Sequence, residues 1–208
     1  MYKNIVFDLG GVVVDFAPKD FLLERFFNAE TEAKVYDIVF GSSEWRMLDA
    51  GEITREQANE VMLKKAEEEA CLFEVESVLD DWMRTLKTRR RTVDIIKRLK
   101  KMGFAIYYLS NIAQDTLDEL KTRDFWPLFD GGIASCEMKT NKPDPIIYEA
   151  LLSKYNLNRE ETIFTDDNKL NASAAYELGI TGIHYKGNTS LLHALNQCGI
   201  PIKEHLMW

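Results

Sequence analysis

Asn4-Ile5-Val6-Phe7-Asp8-Leu9-Gly10-Gly11 decides how the rest of the chain is read. A short run of apolar, mostly β-branched or aromatic residues ends in an acid and then a glycine pair. Runs of this kind, with few charges, suit strands buried on both faces, as in a parallel sheet. Four more follow, at 104–109, 132–135, 162–165 and 182–185. Helical patterns lie between them. One at 92–102 stops at Gly103, and one at 145–155 begins with Asp144 as cap and Pro145 at its first position. Two more, at 170–178 and 190–197, stop at Gly179 and Gly199. Strands alternating with helices predict an α/β fold with a Rossmann-like open parallel sheet.

One segment breaks the alternation. Residues 19–27, 32–40, 55–70 and 75–86 read as helices, with no strand among them. Thr54-Arg55-Glu56-Gln57 is a capping box, and 49–53, with Gly51, reads as the turn before it. The expected organisation is an α/β core of 1–16 and 87–208 with a helical cap domain, 17–86, inserted after the first strand.

Composition excludes several classes of function. The 208 residues include 26 Lys+Arg and 34 Asp+Glu, a net charge of −8, with 46% hydrophobic residues. Such a chain folds around a core. It lacks the positive field that nucleic acid or an anionic membrane requires. No apolar run approaches a membrane span, and the N-terminus lacks a signal-peptide core. Cys71, Cys136 and Cys198 are widely spaced, without a CxxC pattern, so small buried thiols in a reducing cytoplasm are expected. His184, His193 and His205 show no ligand spacing.

Ligands of open parallel sheets bind beyond the carboxyl ends of the strands. The chemistry-bearing residues of this sequence fall there. Asp8 ends the first strand, Ser110-Asn111 the second and Asp166-Asp167 the fourth, and Lys142 follows the third within Lys142-Pro143-Asp144-Pro145. Three carboxylates against one ammonium leave −2, which would repel an anionic substrate in a cleft of reduced dielectric. One divalent cation brings the sum to zero, and an all-oxygen donor set suits Mg²⁺. Asn111 is expected to cap the helix after Ser110, placing a helix N-terminus at the phosphate.

These four segments, in order, resemble the motifs of haloacid dehalogenase superfamily hydrolases, and the resemblance spans almost the whole chain. It implies that Asp8 is the nucleophile and that Ser110, Asn111 and Lys142 bind phosphate. It implies metal ligation by Asp8, the Gly10 carbonyl and Asp167, with Asp166 holding a metal-bound water or Lys142. Asn171, Ala174-Ala175 and Leu178-Gly179-Ile180 fit the remainder of the fourth motif. The implied activity is Mg²⁺-dependent hydrolysis of a small phosphorylated metabolite, with sugar phosphates as the substrate hint, by a monomer or homodimer.

The sequence departs from the family pattern at one position. Phosphatases of this kind usually carry a second Asp two residues after the nucleophile, to protonate the leaving group. Here that residue is Gly10, and Asp15, a water or a substrate group is the expected substitute. The departure keeps two rivals open: a 2-haloacid dehalogenase, and a member that binds a phosphorylated ligand without turning it over. An adjacent acid pair at 166–167 has no evident purpose in a metal-free dehalogenase. In the expected cap, residues 41–46 read as a loop that reaches the site. Trp45 would stack on a sugar and Arg46 would grip a second anion; the plainer reading makes them a packed and a solvated residue. The apolar tail Leu206-Met207-Trp208 would dock on the core or on a partner.

Overall fold

In the computed structural model, residues 1–202 are described. The tail 206–208 and His205 lie outside them. Asn4–Phe7 forms β1, and five helices follow it: α1 (Pro18–Phe26), α2 (Ala29–Ile38), α3 (Ser43–Asp49), α4 (Arg55–Glu68) and α5 (Leu72–Asp81). A 3-10 turn, Trp82–Thr85, leads back to α6 (Arg90–Lys101). The chain then alternates: β2 (Ala105–Ser110), α7 (Gln114–Lys121), β3 (Gly131–Ala134), the short α8 (Ser135–Met138), α9 (Pro145–Tyr155), β4 (Thr162–Asp166), α10 (Lys169–Glu177), β5 (Thr181–His184) and α11 (Asn188–Gln197).

The five strands are all parallel, in the order β3-β2-β1-β4-β5. Successive side chains of a strand point to opposite faces. The packing follows that rule. Ile5, Phe7, Ile106, Tyr108 and Ile163 join one apolar cluster; Val6, Tyr107, Leu109, Phe164 and Ile133 join the other, with Ile147, Tyr148 and Leu151 of α9. The sheet is thus covered on both sides, which explains why its strands read as continuous apolar runs rather than alternating ones.

The first cluster also runs without a break into the helical insert, through Val35, Trp45, Met62, Val78 and Trp82. The insert leaves and rejoins the core through paired segments. Val14 bridges Thr88 in antiparallel fashion, the Asp15 N–H donates to the Lys87 carbonyl, and the Arg89 N–H donates to the Val13 carbonyl. Its two connections are therefore held side by side.

One reading of the sequence is corrected here. Residues 43–49 are a helix, α3, and not a loop. The Ser42 hydroxyl accepts from the Trp45 N–H and caps it.

Candidate active site

Register puts the chemistry-bearing residues at one level. Phe7 pairs with Tyr108 on one side and Thr165 on the other, so Asp8 lies one step beyond, level with Leu109 and Asp166. The Asp8 N–H donates to the Thr165 carbonyl at 2.9 Å. The chain then turns tightly: the Leu9 carbonyl accepts from the N–H groups of Val13 and Val14 at 2.8 and 2.9 Å. Gly11 sits in this turn at φ 72°. A Cβ there would come within 2.1 Å of an Asp167 carboxylate oxygen, so the glycine is what lets Asp167 approach Asp8. Gly10 has no such constraint. A Cβ at that position would meet nothing closer than Phe16 Cβ, at 3.6 Å.

Lys142 is the hub of the cluster. Its side chain is 1% exposed, and Nζ lies 2.6 Å from Asp166 Oδ2, 2.8 Å from the Leu109 carbonyl and 3.1 Å from Asp8 Oδ1. An ammonium has three protons to donate, and here each faces an acceptor. Burial alone would push Lys142 down; the charges of Asp8 and Asp166 outweigh it and hold the amine above the usual lysine value. Asp8 is pushed up, first by burial and then by Asp166 and Asp167, against the opposing pull of Lys142 and a hydrogen bond from Ser110. A single ammonium does not satisfy three carboxylates.

Asp166 is fully buried and already committed. It accepts from Lys142, from the Asn168 N–H at 2.7 Å and from Asn171 Nδ2 at 3.2 and 3.1 Å. Of the two roles expected for it, holding Lys142 is the one its hydrogen bonds fill. Asp167 lies at the exposed rim, its carboxyl pulled up by partial burial and then by Asp166. Oxygens of Asp8, Asp166 and Asp167 all fall within 4.8 Å of one another. Hard oxygen donors at this separation, with surplus negative charge and one carboxylate open to solvent, fit a hydrated Mg²⁺.

Asn111 departs from expectation. Its Oδ1 accepts from the Lys142 N–H at 2.7 Å, and its Nδ2 donates to the Lys142 carbonyl at 3.0 Å. The amide therefore clamps the Lys142 backbone and does not cap a helix. The following helix, α7, starts at Gln114 with Ala113 as an N-cap that has no side-chain hydrogen bond. Ser110, 1% exposed, faces Asp8.

A cavity of about 60 Å³ lies between Ser110, which bonds Asp8, and the helical insert. Gly10, Ser110 and Asn111 line its core side; Phe16, Trp45, Asp49 and Trp82 line the other. Trp45 is buried, 4.8 Å from Phe40 and 4.9 Å from Trp82 between ring centroids. It packs with the insert, as the plainer reading expects, and it also lines the cavity. Arg46 is exposed, donates to the Gly41 carbonyl at 3.0 Å and does not line the cavity. Asp15 is likewise elsewhere: its carboxylate pairs with Arg89 at 2.7 Å, and Arg89 also reaches the Gly11 carbonyl.

Asp49 is the residue that sequence reading missed. Placed in a turn by the nearby Gly51, it is the last residue of α3. The available signal was the four-residue spacing from Trp45, which puts both on one helix face. Burial, above all else, pushes its carboxyl up to about 7; Arg55 opposes, Asp115 adds to the rise, and hydrogen bonds with the Ala113 backbone and the Trp45 side chain oppose.

Residues 2–179 match the family described as haloacid dehalogenase-like hydrolase. A sesquiterpene phosphatase, astK, of Aspergillus oryzae is 26% identical over 202 residues, covering 94% of this chain and 96% of that protein. A phosphorylated carbohydrates phosphatase of Thermotoga maritima is 26% identical over 203 residues, covering 93% and 87%. Among solved structures, a wild-type haloacid dehalogenase family enzyme of Bacteroides thetaiotaomicron in complex with magnesium and inorganic phosphate superposes with a TM-score of 0.66 at 23% identity, covering 87% of this chain and 92% of that one.

Proposed function

The chain belongs to the haloacid dehalogenase-like hydrolases, and on that premise we propose that it is a Mg²⁺-dependent phosphatase of small phosphorylated metabolites. One observation carries the reading: a buried lysine among three carboxylates whose oxygens lie within 4.8 Å of one another at the strand ends. Asp8 attacks phosphorus and the leaving oxygen departs, forming an aspartyl-phosphate; water then attacks that phosphorus and frees Asp8. Lys142 and the Ser110 hydroxyl hold the phosphoryl oxygens as charge develops on them. Asp166, through Lys142 and Asn171, and Asn111, through the Lys142 backbone, position that lysine. Asp8, Asp167 and the Gly10 carbonyl would hold Mg²⁺. When bound, the ion would cancel the cluster's surplus charge, so that a phosphate dianion is no longer repelled, and would polarise a phosphoryl oxygen.

A dehalogenase reading gives the surplus negative charge no purpose. The cavity walls also bear on the leaving group. Val14, Phe16, Trp45, Trp82, Leu86, Ile112 and Leu120 are apolar, and few polar side chains accompany them. Walls of this kind favour an alcohol with an apolar body over a polyhydroxylated sugar. The A. oryzae relative, named for a sesquiterpene substrate, is consistent with that preference.

A screen of phosphate monoesters, run with Mg²⁺ and with EDTA, tests the reading, with Asp8→Asn as the blank. Phosphate release that needs both Mg²⁺ and Asp8, and is faster for apolar esters than for sugar phosphates, is expected. Halide release from 2-chloropropionate in EDTA would overturn the phosphatase reading. Preference for sugar phosphates would overturn the substrate preference alone.

A further inference from the structure

The strand-end loop lacks a group that the chemistry requires. When the phosphorus–oxygen bond to an alcohol breaks, the electron pair stays on oxygen, and an alkoxide is a poor leaving group unless a proton reaches it. Position 10, beside the nucleophile, has no side chain. Asp15 is bound to Arg89 outside the cavity. Lys142 gives its three protons to Leu109, Asp166 and Asp8. Among the described residues that line the cavity, one alone carries a titratable side chain, and it is Asp49.

We infer that Asp49, carried on the helical insert, is the general acid and base of the reaction, in place of a residue in the strand-end loop. The inference rests on the phosphatase reading above. Asp49 lines the cavity together with Gly10 and with Ser110, whose hydroxyl bonds Asp8. The seam between insert and core pins it there. Ser135 Oγ donates to the Asp49 carbonyl at 2.5 Å and accepts from the Ile112 N–H at 2.8 Å. The charged groups facing it are Arg55 of α4 and Asp115 of α7, which pair with each other at 2.8 Å. Arg55 lies 5.2 and 5.1 Å from the rings of Trp45 and Trp82, so its charge is held between the two indoles. With that charge shared, the Asp49 carboxyl keeps its proton near neutral pH, where a general acid is most effective.

The proton balance closes. As Asp8 Oδ bonds to phosphorus and the bond to the alcohol oxygen breaks, the Asp49 proton moves to that oxygen. Alcohol leaves, and Asp49 is a carboxylate. It then takes a proton from water as the water oxygen attacks phosphorus and the bond to Asp8 breaks. Inorganic phosphate leaves, and Asp49 is again an acid.

Two substrates separate this role from a structural one. p-Nitrophenyl phosphate releases an acidic phenol that needs no proton; benzyl phosphate releases an alcohol that does. Asp49→Asn is expected to lower kcat/KM on benzyl phosphate by about 10²–10⁴-fold, the usual worth of a general acid. On p-nitrophenyl phosphate it is expected to lower kcat/KM less than about tenfold, with a burst of nitrophenolate because the base for water is lost. The fall of benzyl phosphate kcat/KM as pH rises past about 7 is expected to persist in Asp49→Glu and vanish in Asp49→Asn. Equal losses on the two substrates, or no loss on either, would overturn the role of Asp49 while leaving the phosphatase reading intact. Wild-type protein that hydrolyses neither ester would overturn that reading, and this inference with it. Should Asp49→Asn fail to fold, Asp49→Glu decides alone: loss of the alkaline fall while an acid is still present would overturn the inference.

Discussion

Replacing Lys142 with methionine probes the electrostatic design of the site most deeply. The substitution keeps an unbranched apolar stem and removes the ammonium. In wild type that ammonium lies 2.6 Å from Asp166 and 3.1 Å from Asp8, and is 1% exposed. At an effective dielectric of ~20, unit charges at these separations attract by about 5–6 kcal/mol each. Desolvating the three groups consumes much of this gain. Removing one partner from a buried ion pair leaves a net loss of about 3–5 kcal/mol. For a domain of this size that is a fall in Tm of roughly 6–20 °C.

The loss should depend on pH. Asp8 already stands above its ordinary value because of burial and its acidic neighbours, and losing Lys142 raises it further. A carboxyl raised in the folded state stabilises the fold fully below its unfolded value. That contribution is lost as pH rises through the folded value. A proton on Asp8 therefore substitutes for the ammonium at low pH, and the deficit grows with pH. Urea unfolding followed by tryptophan fluorescence in EDTA, at about pH 5.5 and about pH 8, measures it. The expected result is a smaller deficit at the lower pH. A stability within about 1 kcal/mol of wild type at both would refute the placement of Lys142 between two buried carboxylates.

Three further outcomes follow from the same geometry. Gly11→Ala puts a Cβ where an Asp167 oxygen lies 2.1 Å away, and at a φ of 72°; thermal-shift titration should show at least a roughly tenfold weaker Mg²⁺ midpoint. Metal-free wild type should lose stability as pH rises from about 4 through about 7, because burial raises both Asp8 and Asp49 from 3.8 to about 7; Asp49→Asn should remove its share of that slope, and leave the share of Asp8, in chemical denaturation. Arg55→Met breaks a two-point pairing with Asp115, at 2.8 and 3.2 Å, that ties the insert to α7; a loss of about 1–3 kcal/mol is expected in urea.

The sheet was legible because burial on both faces leaves short charge-poor runs rich in β-branched and aromatic residues. The observed strands fall within a residue or two of the expected ones. The cluster was legible because a parallel sheet sends the ends of β1, β2 and β4 to one edge. What stayed hidden depends on long-range partners. Asn111 looked like a helix cap because asparagine after a strand often is one; only the fold brings Lys142, 31 residues on, to its amide. Helix α3 was hidden because Gly41-Ser42-Ser43 resembles a loop, although Ser42 is its cap. Asp49 was hidden with it, since a residue placed in a turn is not asked what it faces. Two of the cysteines are only half-buried, against the expectation that all three are interior.

The central claim is that Asp8 carries the phosphoryl group between the two half-reactions. Rapid acid quench during turnover of an apolar phosphate monoester with Mg²⁺, followed by digestion and mass analysis, tests it most directly. The expected result is a phosphoryl group on the peptide containing Asp8, formed and lost at rates that account for turnover, and absent from Asp8→Asn. Phosphate release at full rate while Asp8 never becomes phosphorylated would contradict the account.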